Sequence, residues 1–119
     1  MATLDSQSLV TDILNALSAS VGGDIQVFVP FAERQATALA KQAEWIAEET
    51  AAGQLTEDDR AWFLNDLATL SKNFAQVIAG LTALTIEKAW NAIVGAVWAA
   101  INAAVKSTIG IALPIPEMP

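Results

Sequence analysis

Cysteine and histidine are both absent from the 119 residues. Without thiols the chain has no disulfide framework and no thiolate metal site. Without imidazole it lacks the commonest general base, the commonest metal ligand and the usual switch near neutral pH. Cations are scarce as well: six Lys and Arg stand against thirteen Asp and Glu, giving a net charge of −7 and a pI of about 4.2. Six scattered cations cannot neutralise a run of phosphates, so nucleic acid is not an expected partner. Attraction to anionic lipid through a polybasic segment is equally unsupported, and any membrane contact has to be hydrophobic.

Breakers are few: four Pro and six Gly in the whole chain. The first residues, MATLDSQSLVTDILNAL, contain no basic stretch followed by a continuous apolar run, and so do not read as a signal peptide. The expectation is synthesis in the cytoplasm, with the final site open between a virion and a membrane.

What the chain does have is alanine, 24 copies, which lifts the hydrophobic fraction to 54%, against roughly 45–50% for ordinary domains. Alanine is the best helix former and buries little area, which favours long helices packed closely. At this length one domain with one modest core is expected.

Along the chain, Leu9, Val10, Ile13, Leu14, Leu17 and Val21 recur at helical spacing, which predicts a helix over 6–21 stopped by Gly22-Gly23. Residues 24–30 (DIQVFVP) alternate like a strand, but no second run exists to pair with them. They read as part of an extended connector over 22–31, with strand pairing between chains as the alternative. A thin apolar line, Leu39, Ala43 and Ile46, predicts a surface helix over 32–52, ended by Gly53. The sequence Thr56-Glu57-Asp58-Asp59 then forms a helix start, with the Thr hydroxyl placed to accept an amide proton and three carboxylates at the positive end of the dipole. No strong breaker follows before Pro114, so 56–109 reads as one long helix or as two, broken near 80–85. The tail over 110–119 carries three of the four prolines and should run extended.

Two faces stand out. Phe63, Leu67, Leu70, Phe74, Val77, Leu81 and Leu84 are spaced 4-3-4-3-4-3, the seam of a left-handed coiled coil, and are the expected oligomer seam. Between Lys88 and Lys106 lie seventeen uncharged residues. At about 1.5 Å per residue they span roughly 26 Å, slightly less than a hydrocarbon core of about 30 Å. On a helical wheel Ile86, Trp90, Ile93, Val94, Val97, Trp98, Ile101 and Val105 form a broad apolar face, expected to meet a membrane or a partner. Lys88, Asn91, Gly95, Asn102 and Lys106, with Ala99, form a narrow polar stripe. Such a helix is either a seam inside an assembly or the wall of a pore, where small and polar residues are tolerated between helices.

No catalytic, cofactor-binding or metal-binding residues are assigned. The carboxylates Glu57, Asp58 and Asp59 are explained by capping. Glu44 and Glu48 lie one turn apart like half of a di-metal site, yet the histidines that complete such sites do not exist here. No phosphate-binding glycine loop occurs.

The expected fold is all-α, an elongated helical hairpin or bundle with a long C-terminal helix. One copy looks too poor in bulky residues to bury both faces, so a homo-oligomer is expected, with membrane lipid or a larger assembly as further partners and no small-molecule substrate. The leading functional expectation is a non-enzymatic, self-assembling helical protein that engages or crosses a membrane in its working state, in the manner of a phage virion or ejection component or a small pore-former. The alternatives are a soluble structural or adaptor oligomer without lipid contact and an amphipathic coat on a lipid or polymer granule.

Overall fold

The computed structural model describes residues 4–21, 29–81, 85–110 and 113–118. Its described residues form four helices: α1 (Ser6–Val21), α2 (Val29–Ala51), α3 (Glu57–Leu81) and α4 (Ile86–Ile109). The class is all-α.

Each helix start has a local cause. At α1 the Asp5 carboxylate accepts the Gln7 amide proton and the Ser8 hydroxyl proton, both at 3.0 Å. At α3 the Thr56 hydroxyl accepts the Asp59 amide at 3.1 Å, ahead of three carboxylates in the first turn. At α4 Thr85 plays the same part, accepting the Lys88 amide at 3.2 Å from an extended backbone.

Two of the helix ends are equally specific. Gly53 has a φ of +72°. Its amide reaches the Thr50 carbonyl and the Gln54 amide reaches that of Glu49, the paired bonds of a Schellman ending. Gly110, with a φ of +74°, closes α4 through the Lys106 carbonyl. A side chain at either glycine would be strained.

Two boundaries differ from the sequence reading. Helix α2 begins at Val29, three residues before the expected 32, because Pro30 fits the first turn of a helix, where no amide donor is needed. The stretch 56–109 is divided into α3 and α4, and Thr85 supplies the cap that a second helix requires. Residues 22–28 of the connector lie outside the described residues.

Helix α4 packs against α1, α2 and α3. Helices α2 and α4 touch each other and both neighbours, whereas α1 and α3 make no mutual contact among the described residues. The dimensions are 41 × 26 × 19 Å. The interior is built from Leu9, Ile13 and Leu17 of α1, Ile46 of α2, Leu67, Phe74 and Ile78 of α3, and most of the apolar face of α4. Helix α2 contributes largely alanine: Ala32, Ala36, Ala40, Ala43 and Ala47 are all buried. Small side chains at these positions let its backbone approach its neighbours closely.

Candidate interaction surface

The two faces identified in the sequence have different fates. On α4, Trp90, Ile93, Val94, Val97, Trp98, Ile101 and Val105 are buried and Ile86 is half-buried. Their cover is α1, α2 and α3 of the same chain. A single copy thus buries this one of the two faces for which a partner or a membrane was expected. The large side chains come from three separate helices, and the alanines of α2 let the surrounding elements close in. No helix among the described residues is long and apolar enough to cross a membrane.

The polar stripe of α4 does not form one functional line. Lys88, Asn91 and Lys106 are exposed, while Gly95 and Asn102 are half-buried. Asn102 has a specific task. Its side-chain amide donates to the Leu113 carbonyl at 3.0 Å and accepts the Leu113 amide at 2.7 Å. One side chain thereby satisfies both backbone groups of a tail residue and straps the C-terminal segment to the helix. Sequence reasoning placed Asn102 on the right face but gave no sign of this partner.

Under the strap, between α3 and α4, lies a cavity of about 430 Å³. Its floor is apolar, with Leu64, Ala68 and Trp98. The polar groups around it, Glu57, Arg60, Asn65 and Glu117, are exposed or half-exposed, and none is buried and aimed inward to orient a substrate.

The predicted heptad seam is split. Leu67 and Phe74 lie in the chain's own core, Phe63 is half-buried, and Leu70, Val77 and Leu81 are exposed. Leu84 lies outside the described residues. The seven positions therefore do not act as a single oligomer seam. Helix α3 is held between α2 and α4 and buries the line Leu67, Ser71, Phe74 and Ile78, spaced 4-3-4. The other heptad positions fall about a quarter-turn away. Inside the core, Ser71 returns its hydroxyl proton to the Leu67 carbonyl at 2.8 Å and so leaves no unpaired group.

What remains outside is a ridge along α3. Trp62 is 64% exposed and Leu81 56%, with Leu70 and Val77 between them. An aromatic cluster closes one end. Phe63 meets Trp45 of α2 edge-on at 4.8 Å and Trp62 edge-on at 5.0 Å. Trp45 is itself exposed. Gln42 of α2 donates to the Asp66 carboxylate at 3.1 Å and fixes this end of α2 against α3. Of the six large hydrophobic side chains exposed among the described residues, four belong to α3 and a fifth, Trp45, adjoins them. Sequence spacing included three of these residues in the seam and missed both tryptophans.

The carboxylate pair Glu44 and Glu48 has a structural use. Glu44 accepts the Ser6 amide proton at 3.0 Å and ties the start of α1 to α2, while Glu48 faces outward. Among the described residues no cluster of three metal-ligating side chains occurs. No protein family, curated protein or solved structure matches the chain.

Proposed function

We propose that this chain is a non-enzymatic helical assembly protein and that the α3 ridge is the surface through which copies of it associate. The observation that carries the reading is the concentration of exposed Trp62, Leu70, Val77 and Leu81 on one helix, continuous with Trp45. Contiguous exposed apolar surface marks interaction sites, and tryptophan is the residue most enriched among energetically dominant contacts. From Trp62 to Leu81 the ridge covers twenty residues, or about 28 Å of helix. The heptad spacing of Phe63, Leu70, Val77 and Leu81 suits a second helix laid along it.

A membrane-engaging working state remains the rival form of this reading, and its energetic demand is definite. Seven fully or nearly buried side chains of α4 would have to leave α1, α2 and α3. At roughly 1.5–3 kcal/mol each, that exposure costs on the order of 10 kcal/mol or more in water. This is comparable to the whole stability of a typical domain, about 5–15 kcal/mol. The lipid-free form is therefore favoured: the ridge is already accessible, and using it requires no rearrangement of the core.

Sedimentation across a wide concentration range tests the assembly reading, with Leu70→Asp/Val77→Asp as the control. Concentration-dependent association that the double substitution abolishes is expected. A chain that is monomeric at every concentration would overturn it. Liposome flotation separates the rival: binding by the folded protein, with loss of the α1–α4 contacts, would replace the lipid-free form.

A further inference from the structure

We infer that the partner on the ridge is a second copy laid antiparallel, about a two-fold axis level with Ser71, so that Trp62 of each chain lies over Gly80 of the other. This rests on the assembly reading above and adds an orientation and a register to it.

The register follows from spacing. Trp62 and Gly80 are eighteen residues apart, five full turns at about 3.6 residues each, so they share one bearing on α3. A two-fold axis perpendicular to the helix, passing midway between them, carries position 62 of one chain onto the level and side of position 80 of the other. Trp62 is the most exposed large hydrophobic side chain in the described residues. Gly80 is exposed, and a Cβ built on it meets nothing within 4 Å. The bulkiest projection on the ridge thus meets its one position without a side chain. At the axis itself, Leu70 of one copy lies beside Leu70 of the other.

The orientation follows from charge. Asp59 and Asp66 stand seven residues apart on the same line as the ridge. A parallel pairing would set Asp59 against Asp59 and Asp66 against Asp66, like charges directly opposed. Antiparallel pairing instead sets Asp66 level with the uncharged Gln76 of the other copy and carries the acidic first turn, Glu57, Asp58 and Asp59, past the end of its α3 at Leu81. Between residues 67 and 81 the only charge is Lys72. The two helix dipoles then also run head to tail. A two-fold pairing uses the same patch on both copies, as closed dimers do.

The natural absence of cysteine makes the register directly readable. A disulfide requires Cα atoms within about 7 Å. Leu70→Cys sits one residue from the axis and should link to itself under mild oxidation. Val77→Cys sits six residues away, which separates the two copies' thiols by about 18 Å along the helix, and should not self-link. Mixed with Asp66→Cys, whose counterpart level is residue 76, it should link readily. Gly80→Leu should raise the dimer dissociation constant at least tenfold while leaving helicity unchanged, since no described residue of its own chain crowds that position. Self-linking of Val77→Cys and Asp66→Cys at the rate of Leu70→Cys would establish a parallel pair and overturn the inference, leaving the assembly reading in place. Association that neither links at these positions nor responds to Leu70→Asp/Val77→Asp would overturn both, as would a monomer at all concentrations.

Discussion

The molecule has two apolar faces built from similar residues, and they are used in opposite ways. The α4 face, from Trp90 to Val105, has lower local charge and is surrounded on three sides by α1, α2 and α3. The α3 ridge, from Trp62 to Leu81, is likewise built of tryptophan and large aliphatic side chains but lies on a helix with two neighbours among the described residues. Hydrophobicity alone does not separate them. The number of contacting helices does: a central helix can be apolar over most of its circumference, whereas a flanking helix that is apolar beyond its two contact lines leaves the excess in water.

The sharpest way to break this contrast is to place the same charge on each face. Val97→Asp/Ile101→Asp puts two carboxylates where the side chains are fully buried without partners. A loss of more than about 5 kcal/mol is expected, seen by circular dichroism as an unfolded chain at room temperature. Leu70→Asp/Val77→Asp makes the identical chemical change on the ridge. There the chemical unfolding of the monomer should shift by no more than about 1 kcal/mol, while association is lost. Equal destabilisation by the two pairs would erase the distinction between core and surface.

Smaller changes sharpen it. Asn102→Ala removes both hydrogen bonds to Leu113. It should cost about 1–2 kcal/mol, and hydrogen exchange should quicken at the Leu113 amide without quickening in α1. Thr50 offers a change of opposite sign. Its hydroxyl is buried near the end of α2 with no hydrogen-bond partner among the described residues. Thr50→Val keeps the shape and removes the unpaired group, and should stabilise the chain by about 1 kcal/mol in urea unfolding.

Local signals in the sequence located much of this architecture. Gly53 and Thr56 mark one junction because their roles, a left-handed backbone and a side-chain cap, depend on immediate neighbours. The α4 wheel separates Ile93, Val97, Ile101 and Val105 from Lys88, Asn91 and Lys106, and burial follows that division. The heptad on α3 was legible as a pattern but not as an assignment. Spacings of three and four describe equally a seam facing another chain and a line facing the core, and Leu67 and Leu70 differ only by which helices lie beside them. Trp62 fell outside the heptad, and Trp45 joins the ridge only because α2 and α3 pack together. The Asn102 strap was hidden for a related reason: an amide on a helix surface does not announce which backbone it will hold.

The alanine-lined face of α2 has a consequence for how the sequence can vary. At Ala36, Ala40 and Ala43 there is no side chain left to shorten except to glycine, and no room in a close-packed interior to lengthen one. Substitution at these positions is bounded on both sides, while Leu39 and Ile46 on the same helix can exchange for other aliphatic residues of similar volume. A saturation library should therefore find the smallest residues of α2 to be its least replaceable, an inversion of the usual rule that tolerance falls with the size of the buried side chain.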